Sequence, residues 1–196
     1  MPFFTRSAAV PELKSATGFK PHLRRDFRYQ CAYCGITEVY RRAVDSFGVD
    51  HFRPKSLFPD LEHHYPNLYY CCNQCNSYKG GTWPDAVEAE AGYAFADPCQ
   101  YDPYERDLAQ SNDARLIAQT PIGEYTLDNI RLNREELLRF RRRLAQILGR
   151  IALCRQLLGD SGWPAEEIRR SEMEAILNDL ETEWKASLVG VPWEDA

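Results

Sequence analysis

The 196-residue sequence contains no internal repeat and no low-complexity tract, which excludes solenoid and linker-like architectures. Its longest apolar runs are far too short to span a bilayer, so no membrane association is expected. Phe3 and Phe4 do not belong to a continuous apolar h-region, so no signal peptide is read and a cytoplasmic location is expected. It also lacks an excess of positive charge: the formal net charge is −5, unlike that of a bulk nucleic-acid binder. What remains is ordinary for a globular protein, with 44% hydrophobic and 27% charged residues. That length supports one sizeable core, or one core with an appendage. The charge is unevenly spread. Eight arginines lie between Arg131 and Arg155, against Glu135 and Glu136. From Asp160 onward, ten acidic residues face Arg169, Arg170 and Lys185. This order is compatible with a local phosphate-binding face on an acidic protein.

Seven cysteines are present, an odd number, and in a cytosolic chain most should stay reduced. Four fall into two pairs, Cys31-Ala-Tyr-Cys34 and Cys72-Asn-Gln-Cys75. Paired CxxC spacing favours a metal over disulfides. Four thiolates make a closed tetrahedral zinc site, the arrangement used for structure. The pairs are far apart in sequence, so zinc would staple two distant segments, and its binding would be part of the folding free energy. Cys71 adjoins Cys72 and leaves the ligand assignment ambiguous. Cys154 lies on the apolar face of an expected helix and reads as a small core residue. A zinc deaminase would need H-x-E upstream of P-C-x-x-C. Here Phe52 and Arg53 follow His51, and no proline precedes either pair.

Between the pairs lie Asp50-His51 and Asn67, and Asn76 follows Cys75. Histidine acts as a neutral base near pH 7, and aspartate is a hard oxygen ligand suited to magnesium. Adjacent residues on a strand point to opposite faces, although twist at a strand end can bring both to one cleft. Asn67 also reads as an ordinary turn asparagine. Taken together, the two CxxC pairs bracketing Asp50-His51 and Asn67 resemble an HNH endonuclease with a zinc-bound ββα-metal core, over residues 31–85. The resemblance implies that His51 activates water and that Asn67 steadies the loop placing it. It also implies that Asp50 and Asn76 hold a catalytic Mg²⁺ or Mn²⁺. Asn76 stands where the family often has histidine, which makes this an HNN variant suited to a hard ion. The implied products carry 5′-phosphate and 3′-hydroxyl ends. Arg53, Lys55 and Lys79 are candidate phosphate contacts, as are Arg139, Arg142 and Arg143 farther on. His63 and His64 read as exposed loop residues.

The expected fold class is α+β. A ββα-metal core with a Cys₄ zinc site is followed by a β-hairpin segment and a C-terminal helical hairpin. Residues 1–30 form a lead-in packed on the core, with Arg24, Arg25 and Arg28 read as a solvated face. Residues 31–85 form the core, with strands at 49–52 and 68–71 and a helix from Asn73 to before Gly80. Residues 86–130 are mixed, with a hairpin expected over 116–127 and Gly123 in its turn. Residues 131–196 form the helical hairpin. Its first helix, 133–158, begins with Asn133 and Glu136 as a capping box and buries Leu137, Phe140, Leu144, Ile147, Ile151, Cys154 and Leu158. Gly159-Asp-Ser-Gly162 and Pro164 separate it from a helix carrying Ile168, Ile176, Leu177, Leu180, Trp184 and Leu188.

The runs His51-Phe-Arg-Pro-Lys-Ser, Asn67-Leu-Tyr-Tyr-Cys-Cys-Asn-Gln-Cys-Asn and Leu132-Asn133…Leu137…Arg141 are similar to HNH proteins of bacterial anti-phage systems of the Septu and retron types. That resemblance implies a partner protein, often an ATPase, and the expected substrate is DNA, with RNA not excluded. The acidic C-terminal helices read either as the partner's docking surface or as a hairpin that simply completes the core. Two other readings stay open: a zinc-stabilised nucleic-acid-binding or adaptor module, and a stand-alone restriction-type nuclease.

Overall fold

The computed structural model describes residues 1–41, 44–159 and 167–189. The lead-in ends in a 3-10 turn at Ala16–Phe19 and helix α1 (Lys20–Asp26), which carries proline in its first turn where a missing N–H costs nothing. The Asp26 carboxylate accepts hydrogen bonds from Ser7 N, Ser7 Oγ and Tyr65 Oη, so the lead-in is pinned to the middle of the chain. Arg24 departs from the solvated reading. It pairs through two 2.7 Å contacts with the buried carboxylate of Glu38, in the one-turn helix α2 (Glu38–Arg41).

Strand β1 (Phe47–His51) pairs antiparallel with β2 (Leu68–Cys72), with Asp50 opposite Tyr69 and His51 opposite Leu68. Helix α3 (Asn73–Lys79) follows β2 directly and stops where Gly80 takes a φ of 50°. Such a conformation suits glycine and ends the helix. Strand, loop, strand and helix therefore follow in the expected order. All of β2 is buried, and its tyrosines stack on neighbours: Tyr69 on Tyr33 and Tyr70 on Phe47. The main core gathers these with Phe4, Leu23, Phe27, Leu132 and Leu137.

Helices α4 (Ala86–Glu90) and α5 (Pro103–Arg106) are short and capped by Asp85 and Asp102. Strands β3 (Leu108–Gln110) and β4 (Leu116–Ala118) form a second antiparallel sheet, and helix α6 runs Pro121–Ile130. The hairpin expected over 116–127 is thus displaced: its second half is helical. Thr120 caps α6 by accepting from Gly123 N, and Pro121 occupies the first turn. Gly123 makes no turn. A Cβ there would lie 2.0 Å from Asp107 O, so glycine lets the helix press against the backbone between α5 and β3.

Helix α7 (Glu135–Gly159) buries Leu137, Phe140, Ile147, Ile151 and Cys154, as its periodicity predicts. Its capping box does not form. The Asn133 amide instead exchanges two 2.8 Å hydrogen bonds with the backbone of Leu116, fixing β4 to the start of α7. Helix α8 (Glu167–Val189) packs Leu180, Met173 and Leu177 on Ile147, Ile151 and Cys154. Ile176, expected on the apolar face, is exposed. The expected break at 160–162, Pro164, and the side chains of Ile168, Trp184 and Leu188 lie outside the described residues. Among the described residues, no helix is long and apolar enough to cross a membrane.

Candidate metal centre and active site

The fold brings the two CxxC pairs together from the turn before α2 and the β2–α3 junction. The sulfurs of Cys31, Cys34, Cys72 and Cys75 all lie within 4.8 Å of one another, and all four residues are buried. Four sulfurs about 2.3 Å from a zinc would sit about 3.8 Å apart at tetrahedral angles. Cys34 and Cys72 Sγ are 3.9 Å apart, so the cluster fits the ion. Cys71 points away from it and is buried separately, which resolves the ambiguity in favour of Cys72. In the thiol form, burial pushes Cys31 and Cys75 up, while hydrogen bonds from Cys31, Cys34 and Cys75 pull Cys72 down.

Two arginines surround the sulfurs, and neither was evident from sequence. Arg134 donates to Cys75 Sγ at 3.3 Å and approaches Cys34 and Cys72 Sγ at 3.9 Å. Arg41 lies 4.0 Å from Cys72 Sγ. Both donate to the Gln74 carboxamide, inside the second cysteine pair, and both pair with Glu136. Four thiolates on Zn²⁺ would carry a net charge of about −2, which these guanidinium groups would offset. They also lodge the start of α7 on the metal centre.

On β1 the pleat separates Asp50 from His51. Asp50 is 4% exposed, its carboxylate receiving Tyr33 Oη and the Lys79 ammonium at 3.1 Å. Burial raises its pKa above the usual carboxylate range, with Lys79 and Tyr33 working in the opposite direction. Lys79 is 0% exposed, which removes it from the candidate phosphate contacts. The end of α3 turns its side chain under β1, where it donates to His51 O at 2.7 Å.

His51 is half-buried, and its Nε2 lies 2.9 Å from the carbonyl oxygen of Glu62. A carbonyl only accepts, so Nε2 carries a proton, and in the neutral ring Nδ1 keeps its lone pair. Asn67 is buried and joins both sides of this loop. Its Oδ1 accepts from Arg53 N, and its Nδ2 donates to Arg53 O and Leu61 O. The loop that supplies the Glu62 carbonyl is thereby tied to the strand that carries His51. Sequence offered no signal for Glu62, because it acts through its backbone. Tyr33 lay inside the first cysteine pair, where only the fold shows its use.

Asn76 is half-buried one helical turn before Lys79, and its amide lies against Gly48 on the Asp50 side of β1. Its side chain has no hydrogen-bond partner among the described residues. The Asn76 carboxamide is therefore unengaged, whereas the Asp50 carboxylate is taken up by the Lys79 ammonium. Arg53 is exposed, its guanidinium 5.6 Å from the Phe58 ring and 5.9 Å from that of Trp83. Lys55 is exposed and pairs with Glu62. His63 and His64 are exposed, as expected. On α7, Arg139 and Arg142 share Glu135, and Arg143 pairs with Glu183, all at the surface.

No curated protein and no solved structure gives a significant match to this chain. The family model described as HNH endonuclease matches residues 31–82, about a quarter of the chain, from the first metal-centre cysteine to just past α3. The segment that assembles the four cysteines, His51, Asn67 and Asn76 is therefore the part of the chain that is similar to an HNH endonuclease domain.

Proposed function

We propose that the protein is a metal-dependent HNH endonuclease that hydrolyses phosphodiester bonds of DNA. The observation that carries this reading is the setting of His51. Its ring is held at Nε2 by the Glu62 carbonyl, leaving Nδ1 free to take a proton from water. Asn67 acts on the loop and not on the substrate, because its three hydrogen bonds all go to backbone groups. The water freed of its proton attacks the phosphorus in line, the P–O3′ bond breaks, and the leaving 3′ oxygen takes a proton from solvent, giving 5′-phosphate and 3′-hydroxyl ends. Arg53 and Lys55, exposed next to His51, contact the flanking phosphates. A bound Mg²⁺ or Mn²⁺ would supply Lewis-acid stabilisation of charge on the phosphate oxygens. Asn76 would hold it, while Asp50 would keep its pairing with Lys79. Zinc on the four cysteines shapes the site and takes no part in the chemistry.

We further place the nuclease in bacterial anti-phage defence, working with a regulatory partner such as an ATPase. The similarity of the His51–Ser56 and Asn67–Asn76 runs to such proteins supports this. A second reading is a zinc-stabilised nucleic-acid-binding module without activity of its own; the engagement of Asp50 by Lys79 favours it. Nicking of supercoiled plasmid with Mg²⁺ or Mn²⁺ separates the two. Wild-type protein should nick, and His51→Ala and chelator-treated protein should not. Equal cleavage by His51→Ala would remove the base assignment. No cleavage by folded, zinc-loaded wild type, alone or with its partner, would favour the binding module.

A further inference from the structure

We propose that Lys79 is a positioning residue for His51, acting through the His51 peptide, with Asp50 as its buried counterion. This rests on reading His51 as the general base. A fully buried ammonium needs its charge and its three donors satisfied. Here the donors meet His51 O at 2.7 Å and the two Asp50 oxygens at 3.3 and 3.1 Å. The Phe95 ring lies 5.5 Å from Nζ and closes the remaining side. Tyr33 Oη holds Asp50 in turn. His51 is thus fixed at two points: its peptide oxygen by Lys79 and its ring Nε2 by Glu62 O. Losing either lets the ring turn while leaving the hairpin register intact, because Phe52 N still bonds to Asn67 O.

Lys79 and Asn76 sit on the same short helix as the metal-centre ligand Cys75. One buried side chain therefore connects the stapled helix to the base. Since Lys79 is inaccessible to substrate, its whole effect passes through His51 and Asp50.

The test is the ¹⁵N spectrum of the histidine rings in zinc-loaded protein, with the His51 signals assigned by their absence in His51→Ala. Wild type should show one tautomer, protonated at Nε2. Lys79→Met should show mixed tautomers, with kcat for plasmid nicking reduced on the order of 100-fold and KM unchanged. Lys79→Met leaves Asp50 unpaired and risks misfolding, so Lys79→Met combined with Asp50→Asn is measured beside it. That pair removes both charges together. It should keep its zinc and its thermal transition and still show mixed tautomers and slow turnover. A wild-type His51 spectrum in the folded double variant overturns the proposal. Wild-type cleavage by His51→Ala overturns the base assignment instead, so the two failures are distinct.

Discussion

The Asp50–Lys79 pair contributes in opposite ways depending on whether it is intact. Its desolvation cost is high, and its value lies in each charge answering the other. Lys79→Met should therefore destabilise the protein by about 3–5 kcal/mol near neutral pH. The pH dependence has a defined sign. Burial raises the folded pKa of Asp50 above its unfolded value, so its contribution falls as pH rises through the window between the two. Losing the Lys79 charge raises the folded value further and widens that window. The variant-minus-parent difference in urea midpoint should thus grow as pH rises above the ordinary carboxylate range. A constant difference would show that Asp50 is not the responsible group. At the metal centre, Arg134→Gln should weaken zinc binding by about 10- to 100-fold, measured by chelator competition. Unchanged affinity would mean that the 3.3 Å approach to Cys75 is incidental.

At the scale of elements, the unexpected features lie where two segments meet. Helix α6 presses on the Asp107 backbone through Gly123. Gly123→Ala should cost about 3 kcal/mol through overpacking, despite the better helix propensity of alanine. A stabilised Gly123→Ala variant in thermal denaturation would contradict this close approach. Periodicity located α7, but not the use of Asn133. An N-cap signature is local, and the unpaired backbone of Leu116 competes for the same amide. The helix α3 was legible from its ends, because Cys72-Asn73 follows a strand and Gly80-Gly81 closes it. The direction of Lys79 within it depends on which face β1 covers.

Over the whole molecule, a net charge of −5 coexists with an exposed arginine face on α7. Arg139, Arg142 and Arg143 are engaged only in surface ion pairs, each worth about 0–1 kcal/mol. They remain exchangeable for phosphates. Replacing all three with alanine should leave the thermal transition nearly unchanged. It should also flatten the salt dependence of DNA binding, by about 0.9 in log–log slope for each phosphate no longer neutralised. The same slope in the variant and the parent would exclude this face from the interface. The four-cysteine centre joins the two parts of the chain: Arg134 lies at the start of α7 and approaches three of its sulfurs.

The sequence alone was enough to locate the two CxxC pairs, with Cys71 or Cys72 left open, the strand–loop–strand–helix order and the apolar stripe of α7. Each follows from spacing or periodicity within a short segment. It also singled out His51 and Asn67, whose chemistry is tied to residue type. Tertiary structure decided where side chains with two plausible partners would turn. Asp50 faces a buried ammonium and Lys79 leaves the surface. Arg24, Arg41 and Arg134 satisfy buried charge, and a backbone carbonyl selects the histidine tautomer. These outcomes depend on which groups lose water together when distant segments close on one another.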